Sequence, residues 1–206
     1  MSNFCKLRRA GALFPPQRHG MTNFPAFVPP PPYGMEKNDL STEEMFMNVD
    51  ELPKRKHPRL KNYDYSQNGV YFITICSFQK QKIFSSISVN SEGEVINTLS
   101  KFGEITEEQI KEIQIRFPSI VVDKYVIMPN HIHLLLTINE PGKSVCDFIC
   151  AFKSITAKQC RKADPELNVF QTSFHDHIVR DESDYQRIWN YIDTNVQRWE
   201  KDCFYL

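Results

Sequence analysis

From about residue 70 onward, apolar positions recur with two different periods; the first fifty residues show neither. "GVYFITICSF" is dense in β-branched and aromatic residues and follows the turn-forming "SQNG", which predicts a strand from Val70 to Phe78. Residues 94–116 place Val95, Leu99, Phe102, Ile105, Ile110 and Ile113 at helical spacing, with Gly103 as a possible break. "SIVVDKYVIM" (119–128) and "HIHLLLTI" (131–138) read as two strands joined at an "MPN" corner. Between 143 and 162, Val145, Phe148, Ile149, Phe152, Ile155 and Thr156 share one helical face. An extended segment, 169–181, leads into a final helix over 183–202. Ser183 and Gln186 fit its capping box, and Tyr185, Ile188, Ile192, Val196 and Trp199 form its apolar stripe. The predicted order is strand, helix, strand, strand, helix, strand, helix. That order predicts an α+β fold: a ferredoxin-like antiparallel sheet with helices packed on one face.

The N-terminal part differs. "FPPQRHGMTNFPAFVPPPPYGMEKND" has a four-proline run and no apolar period, so residues 1–53 are expected to form a disordered or polyproline-like extension before a domain over 54–206. The total of 206 residues suits one domain plus an appendage, and an apolar fraction of 41% is ordinary for a globular protein. Lysines and arginines balance aspartates and glutamates at 25 each, so overall charge names no partner. Lys54, Arg55, Lys56, Arg59 and Lys61 nevertheless make a local basic cluster able to bind phosphates or to act as a solvated run. The six cysteines form no CxxC pair and read as reduced thiols of a cytoplasmic protein. No apolar run reaches the length of a membrane span, and no partner membrane is expected.

One strand carries a chemical signal. His131 and His133 alternate with Ile132, so they share a face, with Cα atoms roughly 6.5–7 Å apart. Ile132, Leu134 and Leu136 point to the other face, where a core is expected, which leaves two imidazoles able to converge on one metal ion. Two histidines on one face of an apolar strand can also be satisfied polar residues. On the final helix Tyr191 and Asn195 are four apart and so lie on one face. Asn195 offers an amide oxygen for a hard cation, and Tyr191 a phenol that could act as a nucleophile or merely pack.

Together, "RLKNYDYSQNGVYFITIC", "YVIMPNHIHLLL", "AFKSITA" and "SFHDHIVRDESDYQRIWNYIDTNVQRW" resemble the REP-associated tyrosine transposases, members of the single-tyrosine HUH class, over about residues 58–202. The resemblance implies that His131 and His133 are the HUH pair, that Asn195 is a further metal ligand and that Tyr191 is the nucleophile. It implies Mg²⁺ or Mn²⁺ as cofactor; imidazole ligands are softer than Mg²⁺ prefers, so Mn²⁺ should serve. It also implies cleavage of single-stranded or hairpin DNA through a 5′-phosphotyrosine, by a monomer or a homodimer. The chain departs from the family pattern at Val196, where proline is usual, and at Phe170 and His175, where Trp and Tyr are common. Lys153 and Arg180 are further candidates for DNA backbone contact, although Arg180 could pair with Asp176 or Asp184. His175 and His177 are candidates to assist deprotonation of Tyr191. Two other readings stay open: a nonenzymatic nucleic-acid-binding descendant of the fold, and an unrelated metal hydrolase in which Tyr191 only packs.

Overall fold

The structure, a computed structural model, describes residues 63–205. The proline-rich extension and the cluster Lys54, Arg55, Lys56, Arg59 and Lys61 lie outside those residues.

The central sheet is built from β1 (Gly69–Cys76), β4 (Ile120–Ile127), β5 (His131–Ile138) and β6 (His175–Val179), in the order β4-β5-β1-β6 with every neighbouring pair antiparallel. Helices α1 (Lys101–Arg116) and α2 (Val145–Ala163) make the two crossovers, which is the split βαβ arrangement expected from the sequence. Both crossover helices cover one face. There Tyr71, Ile73 and Ile75 of β1 and Ile132, Leu134 and Leu136 of β5 pack against Ile110, Ile113, Phe148, Ile149 and Phe152. Ser144 caps α2 through a reciprocal box with Asp147.

The third helix, α3 (Glu182–Thr194), crosses the opposite face. Its Tyr185, Ile188 and Ile192 bury Val70, Leu135 and Val179. The expectation of helices on one face therefore holds for α1 and α2, and α3 adds a third layer. Physically, β5 is apolar at Leu134, Leu135 and Leu136 in succession, and a strand with both faces apolar needs cover on both. Asp181, accepting from the Asp184 N–H, caps α3 in place of Ser183, and Gln186 reaches Glu182 instead of a cap. Regular helix stops at Thr194, and a 3₁₀ helix, Val196–Lys201, follows.

The expected helix over 94–116 begins late. Val95 and Leu99 belong to a hairpin of β2 (Ser85–Val89) and β3 (Val95–Leu99), turned at Asn90 and Gly93, and only then does Ser100 cap α1. Gly103 does not break α1. A Cβ there would lie 2.0 Å from the carbonyl oxygen of Phe84, the atom that accepts from the Ser100 N–H. Glycine lets the helix start seat against that buried turn.

Candidate active site

The sheet face beneath α3 holds the histidines. His131 and His133 do share a face opposite Ile132, Leu134 and Leu136, but it is not an open one: they are 0% and 1% exposed. The segment after α3 folds over them. Trp199 and Phe204 lie 6.0 and 4.6 Å from the His131 ring, and Phe72 stacks on His133 at 5.0 Å.

Their hydrogen bonds fix how the rings present their nitrogens. Asn130 donates from Nδ2 to the Phe204 carbonyl at 2.8 Å, so its Oδ1 is the atom facing His131 Nδ1 at 2.9 Å. That oxygen only accepts, so His131 carries its hydrogen on Nδ1 and keeps Nε2 bare. Thr74 Oγ1 sits 2.9 Å from His133 Nδ1. The two Nε2 atoms face each other at 3.0 Å. A bare His131 Nε2 at that separation must either accept a hydrogen bond from His133 Nε2–H or share a cation with it. Two donors bound side by side on an octahedral ion, each at about 2.1 Å, stand about 3 Å apart, so the spacing fits. Partners on both Nδ1 atoms are the outer support that metal-bound histidines have.

Burial depresses both imidazoles. It holds His131 down to about 4, against an opposing pull from Asp202, and His133 well below its ordinary value. Both are therefore neutral near pH 7, the form that binds metals.

The third member is Asp202. Its carboxylate and the two histidines place one ligand atom each within 4.8 Å of one another, so the three could hold a metal ion. Asp202 Oδ2 also takes a hydrogen bond from Asn195 Nδ2 at 3.0 Å and one from the Tyr191 hydroxyl at 3.3 Å, while Oδ1 accepts from the Phe204 N–H at 2.7 Å. Asn195 is 1% exposed and its Oδ1 has no hydrogen-bond partner, an orphaned buried acceptor of the kind a cation or a donor would satisfy. The mixed donor set of imidazole nitrogens, carboxylate and amide oxygen can hold a divalent cation.

Tyr191 completes the cluster. Its hydroxyl is 3.3 Å from His133 Nε2, and its ring meets Phe72 edge-on at 5.9 Å. Burial, reinforced by the Asp202 charge, pushes the phenol up to about 12. Tyr185, the other tyrosine of α3, is packed in the apolar cluster below the helix.

Asp202 is the residue that sequence reasoning missed as a site member. It stands seven residues past Asn195 in irregular chain, so no helical or strand period points to it. The remaining candidates are scattered. Lys153 lies on α2, across the sheet, and donates to the carbonyls of Gln171 and Thr172 at 2.5 and 2.9 Å. Arg180 is exposed, and its backbone N–H, 3.3 Å away, is what meets Asp184. The Asp184 carboxylate is already engaged by His177 at 2.7 Å and by Arg187. His177 shares a cleft with Tyr191, and the His175 ring is 6.5 Å from that of Phe204. Among the described residues no helix is long and apolar enough to cross a membrane.

Comparison with known proteins identifies the family. Residues 73–195 match the family model described as "Transposase IS200 like", a span from β1 through Asn195 that leaves Asp202 outside. An uncharacterized protein of Haemophilus influenzae is 31% identical over 173 residues, covering 74% of this chain and 93% of that protein. Among solved structures, a REP-associated tyrosine transposase bound to a REP hairpin aligns with a TM-score of 0.48 at 18% identity, over 70% of this chain and 73% of its own. A protein described as a transposase from Deinococcus radiodurans aligns with a TM-score of 0.42 at 18% identity, over 65% and 95%. The family match covers the histidine pair and Tyr191, and on it and the Haemophilus relative the chain belongs to the IS200-like transposase family.

Proposed function

We propose that the protein cuts and rejoins single-stranded DNA next to a hairpin, with Tyr191 as the nucleophile and Mg²⁺ or Mn²⁺ as cofactor. The observation that carries this reading is the position of the Tyr191 hydroxyl, 3.3 Å from both His133 Nε2 and Asp202 Oδ2, at the edge of the paired imidazoles. A half-buried phenol needs some hydrogen-bond partner, and both partners of this one are candidate metal ligands.

His131 and His133, with Asp202 and Asn195 beside them, would hold the cation. When bound, it would supply Lewis-acid neutralisation of a phosphate oxygen. The chain's own groups do the rest. Phe72 and the α3 backbone fix the Tyr191 ring, so its oxygen approaches phosphorus from one direction only. The new bond joins the tyrosine oxygen to phosphorus, and the bond from phosphorus to the 3′ oxygen breaks. The phenolic proton departs, Asp202 Oδ2 being the carboxylate within reach of it, and the released 3′ oxygen takes up a proton. Reversal with another 3′ hydroxyl joins new ends without ATP, because the phosphotyrosine keeps the energy of the broken ester.

A phenol held near 12 is a poor nucleophile by itself at neutral pH, so Tyr191 should attack only with substrate and cation in place. The test is incubation with hairpin-bearing single-stranded DNA and Mn²⁺, followed by denaturing gels. Wild type should form a covalent adduct and Tyr191→Phe none. Binding without any adduct from wild type would favour the nonenzymatic reading. Cleavage without a trapped adduct would favour a hydrolase in which Tyr191 only packs.

A further inference from the structure

We propose that the cleft beside Tyr191 is a nucleotide subsite. It takes the nucleotide that stays joined to Tyr191 after cleavage, with its base on an aromatic wall and a phosphate on Arg198. This rests on Tyr191 being the nucleophile and adds the substrate contact that the reading lacks.

The cleft has a volume of about 630 Å³, within the range of small-ligand pockets. Phe72, Phe204 and the Tyr191 ring give it an aromatic wall, and Arg187, Asn190 and Arg198 stand among its polar lining. An aromatic wall alone would accept any apolar group. A guanidinium group beside it that has no carboxylate partner calls for an anion attached to that group, which describes a nucleotide.

The two arginines are not equivalent. Arg187 is tied to Asp184, whose carboxylate also holds His177. Arg198 is exposed and pairs with no carboxylate among the described residues; only its backbone is fixed, by a 3.1 Å bond from its N–H to the Asn195 carbonyl. Arg198 is thus the free cation on the nucleophile's own side. In-line attack puts the departing 3′ oxygen opposite the tyrosine oxygen. The upstream nucleotide therefore leaves away from α3, and a cleft walled by the Tyr191 ring is placed for the nucleotide that remains.

The experiment uses the full chain and a fluorescein-labelled DNA hairpin with oligothymidine flanks. In EDTA, where cleavage is blocked, binding is measured against salt for wild type, Arg198→Gln and Arg198→Lys. One lost phosphate contact should lower the slope of log affinity against log salt by about 0.7 in Arg198→Gln, and Arg198→Lys should restore it. In Mn²⁺ the cleaved bond is mapped, and an abasic site is placed on either side of it. The abasic site on the 3′ side should weaken binding roughly 5- to 150-fold, the range contributed by one stacked base, and the one on the 5′ side much less. An unchanged slope in Arg198→Gln, or equal effects of the two abasic sites, would overturn the subsite while leaving the adduct and the nucleophile intact. Absence of any adduct from wild type would remove the nucleophile reading, and the subsite with it.

Discussion

Replacing His133 by alanine should unfold the protein more easily as well as disarm it. The imidazole is 1% exposed, stacks on Phe72 at 5.0 Å and engages Thr74 at 2.9 Å. Truncation removes a ring from a closed space and leaves the 5%-exposed Thr74 without that partner. Loss of a buried ring costs about 3–5 kcal/mol when the ring is purely apolar, and an orphaned hydroxyl costs about 1–3 kcal/mol. Against these stand the polarity of the imidazole, which makes its burial worth less than an apolar ring's, and partial collapse of the neighbouring side chains into the vacated space. We therefore expect a net loss of about 2–4 kcal/mol. For a chain of this length that is roughly 4–16 °C in melting temperature. Urea and thermal unfolding in EDTA at pH 7.5 measure it without metal. A midpoint within a degree of wild type would refute the burial described for this face. The consequence for functional assays is direct: loss of cleavage in His133→Ala is informative only at a temperature where the variant remains folded.

Gly103→Ala should destabilise by more than about 2 kcal/mol despite alanine's better helix propensity, because its Cβ would meet a backbone oxygen at 2.0 Å; a neutral or raised unfolding midpoint would contradict the packing of α1 on the Phe84 turn. Burial, the largest single influence on Asp184, pushes its carboxyl up, but His177, Arg187 and the Arg180 N–H together outweigh it and hold the folded pKa below its ordinary value. Its contribution is therefore complete above about pH 3.9 and is lost as pH falls through the lower folded value. Asp184→Asn should accordingly show a shallower acid limb than wild type in urea midpoints taken below about pH 4, and an unchanged limb would dissociate Asp184 from acid stability. Deleting residues 1–50, which carry none of the proposed site residues, should leave adduct formation within about a few-fold, and complete loss in a folded truncation would assign the extension a role.

The parts of this account that were legible in the sequence are those with a period. Alternation put His131 and His133 on one face, and a four-residue step put Tyr191 and Asn195 on another; the fold brings the two pairs together across the interface of β5 and α3. What escaped has no period or a misleading one. Val95 and Leu99 fall in phase with the stripe of α1, so the hairpin's second strand read as its first turn, and serine-rich β2 offered too few apolar residues to register. The burial of the histidines depends on α3 crossing their face, which the apolar run Leu134, Leu135 and Leu136 signalled without naming the element that would cover it. Asp202 reaches the site only because Asn130 and Phe204 pin the irregular C-terminal segment over it.

The claim that Tyr191 is the nucleophile is tested most directly by locating the covalent bond. Cleavage of the trapped adduct after Arg187 and Arg198 releases residues 188–198, a peptide in which Tyr191 is the sole tyrosine. Mass spectrometry after nuclease digestion should find a nucleotide on this peptide, with the fragment ions placing it on Tyr191. A nucleotide on any other peptide, or on Thr194 within this one, would contradict the assignment.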